Sequence, residues 1–400
     1  MAPHQQSRPD STKGGWQWAV AFAVLFAVVA ALLMADRRSA GTAQLHTPTT
    51  IGPRDSSTAT DPVVTETQLS LPSGIAGTLY LLAEDATLTE IDLPTGRSRS
   101  TRLTFRVEPG ASTQVVALQN VVLIGTRRQV FSVDRATLSQ QQRLAEERWI
   151  LGAADGTWAA LVPFGAAAAE ITMLNGSGVA DRGRTVRLPA GVTAVGTVSA
   201  GLIVDAAGTL YLRPRDGRPG PTLGTGRYVG SGATAMARLV CQPRSCALHL
   251  GTTAQPDQKI LEGINPAGPW EFGPGAVFRP RGDVLAMVTD ASVETPGATR
   301  ARVIRLDTTN PSLQSSPIAT GEATGAAGLA FSADGATLIH TSARGVGFWP
   351  IGPADTATGA AGVPNAAQEV ALPAAILALA VTAHPTPPPP PRAGPPPSFA

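Results

Sequence analysis

From Gly74 onward, short apolar runs alternate with polar, glycine-containing turns, and the pair of runs around a turn recurs about every 40 residues. Ala276–Asp290 and Leu329–Ser342 overlay most clearly. Phe278-Arg279-Pro280-Arg281-Gly282-Asp283 and Phe331-Ser332-Ala333-Asp334-Gly335 each end an apolar run in a tight turn, and Val284–Thr289 or Thr337–His340 follows. Short apolar runs bounded by turn residues read as strands. A period of roughly 40–45 residues with four strands per unit is the spacing of propeller blades. The predicted fold is all-β, a seven-bladed β-propeller over residues 73–383.

The first unit holds Thr78–Leu82 and Thr87–Leu93 around a turn at Glu84-Asp85-Ala86. Val115–Leu118, Val121–Gly125 and Val130–Val133 form the second, and Trp149–Leu151, Asp155-Gly156 and Trp158–Val162 the third. The fourth has Gly201–Val204, Gly208 and Thr209–Leu212; the fifth carries the hairpin Leu239–Leu248, and the sixth and seventh begin near Trp270 and Gly325. Ile91-Asp92-Leu93-Pro94-Thr95-Gly96, Val133-Asp134-Arg135-Ala136-Thr137 and Leu306-Asp307-Thr308-Thr309-Asn310 share one form, a strand reaching an Asp and then turning. An Asp opening a turn accepts backbone N–H bonds two residues on, so these read as the outer hairpins of blades rather than as calcium loops.

Before the repeats, Trp16–Ala35 is almost wholly apolar, with Gln17 its one strongly polar member. As a helix the run spans roughly 30 Å, a bilayer's hydrocarbon thickness. The apolar region of a signal peptide is about 7–15 residues and ends at a small-x-small site, which Leu32-Leu33-Met34 does not offer. An uncleaved anchor at 16–35 is the expectation, with a cleaved signal as its alternative. Residues 1–15 then form a short cytoplasmic arm, and 36–72, rich in Ser, Thr and Pro, a flexible linker. Val63–Leu71 has strand character, and pairing of this amino-terminal strand with the last blade is one way to close the ring. Residues 384–400, with prolines at 387–391 and 395–397, read as a disordered polyproline tail.

Composition narrows the function classes. Lys and Arg total 31 against 29 Asp and Glu, so the chain lacks the basic field that nucleic-acid binding requires. Only two cysteines exist, in Leu239-Val240-Cys241-Gln242-Pro243-Arg244-Ser245-Cys246-Ala247-Leu248. Apolar strands flank a four-residue turn, which brings Cys241 and Cys246 within disulfide reach. Free thiols in a reducing compartment are the alternative; a metal site lacks ligands, since only His249 is near. An oxidised pair places the domain outside the cytoplasm.

With these residues in view, the Phe331–Gly335 box, the strand-Asp-turn pattern and the hairpin cysteines resemble WD40-like propellers. The whole chain is similar to actinobacterial single-pass membrane proteins with an extracytoplasmic propeller, over about Gly74 to Ala383. The resemblance implies a binding platform.

Catalytic signatures do not stand out. The sequence has no Gly-x-Ser-x-Gly elbow, His-Glu-x-x-His pair, haem-attachment motif or P-loop. His4, His46 and His384 lie in the arm, linker or tail, while His249 and His340 fall on expected strands as partly buried residues. Gly224-Thr225-Gly226 and Gly273-Pro274-Gly275 read as inter-blade turns, and Arg281-Gly282-Asp283 as hairpin chemistry. Arg97, Arg99, Arg102, Arg106, Arg127 and Arg128 read as a solvated basic face, with acidic wall polymers or lipid headgroups as the other reading. Trp149, Trp158, Trp270 and Trp349 are core aromatics or, alternatively, a sugar-binding face.

No catalytic, cofactor or metal residue is assigned; the one assigned pair is the disulfide Cys241–Cys246. The expected function is a non-enzymatic protein-binding or scaffolding module at the outer face of a cell membrane, held to the bilayer by the amino-terminal helix, with a protein partner there and no nucleic acid. The alternatives are a propeller lyase or hydrolase acting on cell-wall glycans, for which carboxylates and a histidine would converge on the channel, and a ligand sensor, for which Met1–Gly15 is small.

Overall fold

In the computed structural model every regular element of the described residues is a β-strand. The structure describes residues 63–105, 107, 113–139, 141–164, 169–243, 245–252, 258–264, 277–280, 284–290, 299–305, 315–318, 328–342, 345–351 and 368–383. The chain divides into two compact units, Met1–Thr60 and Asp61–Ala400, and the second contains all of them. The arm, the span expected at 16–35, the linker up to residue 62 and the 384–400 tail lie outside the described residues.

Along the chain come β1 (Val64–Gln68), β2 (Thr78–Ala83), β3 (Thr87–Asp92) and β4 (Arg97–Arg102). Six blades of four strands follow. Blade 1 is β5 (Gln114–Ala117), β6 (Val121–Gly125), β7 (Gln129–Asp134) and β8 (Gln141–Glu146); blade 2 is β9 (Arg148–Gly152), β10 (Trp158–Pro163), β11 (Ala169–Asn175) and β12 (Ala180–Leu188). Blade 3 is β13 (Val192–Val198), β14 (Gly201–Ala206), β15 (Thr209–Pro214) and β16 (Thr222–Thr225); blade 4 is β17 (Arg227–Ser231), β18 (Ala235–Gln242), β19 (Ser245–Thr252) and β20 (Gln258–Ile264). Blade 5 is β21 (Val277–Phe278), β22 (Val284–Asp290), β23 (Thr299–Arg305) and β24 (Ser315–Ile318). Blade 6 is β25 (Leu329–Phe331), β26 (Thr337–Ser342), β27 (Gly345–Pro350) and β28 (Gln368–Ala371), and β29 (Ile376–Thr382) ends the series.

The seven blades expected from the repeat are not met: six form, and the remaining sheet is assembled from strands of both ends of the repeat region rather than from one repeat unit. It has five strands in the order β1-β4-β3-β2-β29, so both ends of the repeat region meet in it, and we call it the closing sheet. β29 pairs antiparallel with β2 from Thr78↔Thr382 to Ala83↔Ile376. The expected closure, an amino-terminal strand joining the last blade, is therefore replaced by a carboxy-terminal strand joining the first three. Val64–Gln68 lies instead on the outer edge, against β4. The first strands of successive blades touch in turn, and β29 touches both β25 and β5, which returns the circle to its start. The fold is an all-β propeller.

Burial explains why the strands read as unbroken apolar runs. A blade is covered on both faces by its neighbours, so residues of either parity are apolar. In β2, Tyr80 and Leu82 join a core shared with blade 1, while Leu79 and Leu81 join one shared with blade 6. β10 does the same, with Trp158, Ala160 and Val162 packed toward blade 3 and Ala159 and Leu161 toward blade 1.

The turns carry the expected Asp chemistry. Asp155 and Asp334 accept from the backbone N–H of Thr157 and Ala336, two residues on, at 3.1 and 3.0 Å. Asp134 accepts from the Thr137 N–H, three residues on, at 2.9 Å. Gly156 and Gly335 follow those two Asp at φ 65° and 72°, where a side chain would be strained. Asp307, Arg281-Gly282-Asp283 and Gly273-Pro274-Gly275 lie outside the described residues.

Candidate functional site

The functional geometry of a propeller is set by its inner strands and by whatever keeps neighbouring blades in register. The inner strands are β5, β9, β13, β17, β21, β25 and β29. They consist almost wholly of aliphatic, aromatic, Gly and hydroxyl residues, with Gln114, Arg148 and Arg227 as the other polar members. One side chain per junction ties adjacent strands over the first four of them. The Gln114 carbonyl oxygen accepts from the Ile150 N–H at 2.9 Å, Thr197 Oγ1 donates to the Gly152 carbonyl at 2.6 Å, and Ser231 Oγ donates to the Thr197 carbonyl at 2.6 Å. Such bonds satisfy backbone groups that face a neighbouring blade rather than a ladder partner. The Tyr228 hydroxyl pairs with Ser231 Oγ at 2.7 Å, and burial pushes its pKa up to about 12.

A second constellation lies between the closing sheet and blade 1. Tyr80, Glu90 and Arg99 are directly opposite one another on β2, β3 and β4, and Glu66 of β1 continues the row to the outer edge. Arg135, in the turn after β7, enters this row with no exposed surface. Its Nε donates to the Tyr80 hydroxyl at 2.6 Å, and its guanidinium also donates to the carbonyls of Leu118 and Gln119. The Tyr80 hydroxyl in turn donates to Glu90 Oε2 at 2.7 Å. Arg99 donates to Glu90 Oε1 from Nε at 3.0 Å and from its terminal nitrogen at 2.6 Å, and it reaches across to the carbonyls of Arg135 and Ala136, both at 2.8 Å. Burial first, and then the Glu90 carboxylate, raises the Tyr80 pKa far above the usual phenol value, so the hydroxyl stays neutral and keeps both bonds.

Arg99 thus belongs to an inter-sheet bond network, not to the solvated basic face expected for it; Arg97, Arg102, Arg127 and Arg128 are exposed, and Arg106 lies outside the described residues. Sequence reading passed over Arg135 and Glu90. The only available signal was an Arg next to an Asp turn, which reads equally well as solvent-exposed.

Cys241 and Cys246 form the assigned disulfide as directly opposed residues of β18 and β19. The ladder continues past the cysteines to the pair Gln242↔Ser245, so the strands extend further toward the tip than the expected four-residue turn allows. Trp158 and Trp349 are buried in inter-blade cores, which removes them from any sugar-binding face; Trp149 is partly buried against Phe164 with ring centroids 4.8 Å apart, and Trp270 lies outside the described residues. His340 is buried on β26 over Gly347, and desolvation lowers its pKa so that it is neutral near pH 7. His249 is half-buried on β19. Gly224 and Thr225 end β16, and Gly226 alone joins it to β17, so the connection between blades 3 and 4 is one residue rather than the three-residue turn expected.

No protein-family model matches this chain, and no curated protein matches it. Solved structures do. A functionally unknown protein from Desulfotomaculum acetoxidans is similar at 11% identity, over 78% of this chain and 100% of its own, with a TM-score of 0.47. The periplasmic gluconolactonase PpgL of Pseudomonas aeruginosa is similar at 11% identity over 77% and 99%, with a TM-score of 0.43. The Pan2 WD40 domain of Neurospora crassa is similar at 11% over 69% and 85%, with a TM-score of 0.42. The chain is a β-propeller with WD40-like neighbours.

Proposed function

We propose that this chain is a β-propeller tethered to the outer face of a cell membrane, where it serves as a non-enzymatic platform for a protein partner. The observation that carries this reading is the make-up of the described inner strands, which hold no carboxylate or histidine where a channel enzyme needs acids and bases. Two further features support it. The Cys241–Cys246 disulfide suits an oxidising compartment. The apolar run Trp16–Ala35 has the length of a span. A rigid ring holds its connecting loops in fixed relative positions, and a tether raises their effective concentration near the bilayer.

Proximity labelling from the outer face of intact cells tests the reading. Capture of one dominant membrane or envelope protein by a tag fused after residue 383 is expected. Labelling confined to cytoplasmic proteins, or release of glycan fragments from purified cell wall by the purified chain, contradicts it.

A further inference from the structure

The closing sheet differs from the six blades by one strand. Without β1 it would be β29, β2, β3 and β4, the same four-stranded plan as every blade, so the repeat architecture does not call for β1. Among the described residues β1 pairs only with β4, over five residue pairs from Val64↔Thr101 to Gln68↔Arg97, and its residues 65–68 are exposed.

The bonds holding β1 are polar. Thr67 Oγ1 meets Ser98 Oγ at 2.6 Å, Gln68 Nε2 donates to the Thr95 carbonyl at 2.6 Å, the Leu69 N–H donates to the Gly96 carbonyl at 2.9 Å, and Glu66 stands opposite Arg99. Apolar contact is limited to partly buried Val64 at one end and Leu69 just past the other. A strand held by solvent-facing backbone bonds, with little apolar burial, opens at a small fraction of the global unfolding free energy. Opening leaves β4 with a row of unpaired N–H and C=O groups, which is a template for another strand.

The strand that fits this template is already known, because β1 itself fits it. Nine residues, 69–77, join β1 to β2; Ile75 is buried and the Ala76 and Gly77 carbonyls accept from the Ala333 and Leu93 N–H groups, so the part free to extend is 69–74, which reaches roughly 20 Å toward a neighbouring molecule. Gly74 and Gly77 within this connection sit at φ 79° and 108°, where the chain can change direction.

We propose that β1 is an exchangeable strap, which leaves β4 of its own chain to pair with β4 of a second copy. Reciprocal exchange closes a two-fold dimer, because each copy supplies one strap and one acceptor edge. The proposal stands apart from the platform reading and does not depend on it.

The test uses the full chain in detergent micelles, followed by light scattering over a concentration series. The wild type is compared with the double variant Thr65→Pro, Glu66→Pro and with wild type plus a synthetic peptide spanning residues 63–69. Adjacent N–H groups on a strand point in opposite directions, so the double variant removes a ladder donor whichever of the two faces β4. A wild-type dimer that grows with concentration, falls at least tenfold in apparent association in the variant, and is competed to monomer by the peptide is expected. The peptide arm needs no substitution and stands even if the variant does not fold. A wild type that is monomeric up to hundreds of micromolar, a folded variant that dimerises unchanged, or a dimer indifferent to saturating peptide overturns the proposal.

Discussion

Arg135 shows how much a single side chain can carry at a sheet junction. It is wholly buried and donates to a hydroxyl of the closing sheet and to two carbonyls of its own blade, while Arg99 answers from the other side. Removing one partner of a buried polar network strands the others, which costs about 3–5 kcal/mol. Arg135→Met is expected to lose about that much stability in chemical denaturation, whereas Arg97→Met, at an exposed position of β4, changes it by less than about 0.5 kcal/mol. Asp155 is the clearest pH-sensitive group. Burial alone would raise its pKa, but bonds from the Thr157 hydroxyl and N–H and from Ser199 Oγ outweigh it, and the carboxyl is held below its ordinary 3.8. The unfolded chain therefore takes up this proton first on acidification. Its stabilising contribution is complete above about pH 4 and is lost as pH falls through the lower folded value. Thermal melts between pH 2 and 6 should be flatter for Asp155→Asn than for wild type. Neither role was fully legible beforehand: the Asp-Gly turn marks Asp155, but the Ser199 bond comes from the next blade, and no local pattern distinguishes a buried Arg from a solvated one.

At the scale of elements, glycines receive the bulk of the adjoining blade. A Cβ on Gly196 of β13 would stand 2.2 Å from the Tyr228 hydroxyl of β17, and one on Gly152 of β9 would stand 2.3 Å from Val116 of β5. Gly196→Ala is expected to destabilise by about 1–3 kcal/mol through overpacking. Its double variant with Tyr228→Ala should cost less than the two single changes added, since both act on one contact. The disulfide works at the same scale. It closes a ring of six residues at the tip of a hairpin already in register, so reduction should lower stability by about 2 kcal/mol and leave the strand signal in circular dichroism intact. Hairpins of this kind were the most legible part of the sequence, because both strands and the turn lie close together along the chain. Thr78–Leu82 with Thr87–Leu93, Trp158–Val162 and the cysteine hairpin all fall where the periodicity puts them. The partner of β2 on its inner side was not legible, because β29 is joined to it only through the whole ring.

For the molecule as a whole, that long-range pairing is the decisive contact. β29 is at once the inner strand of the closing sheet, the neighbour of β25 and the neighbour of β5, and its residues enter the cores on both sides. The circle thus depends on one strand near the end of the repeat region, while β1 on the outer edge adds little to it. Hydrogen exchange of the full chain, compared with chains ending at residue 383 and at residue 375, tests this directly. The account predicts unchanged protection when only 384–400 is removed, and loss of protection in β2, β25 and β5 together when β29 is removed. Full protection of β2 and β5 in the chain ending at residue 375 would contradict it.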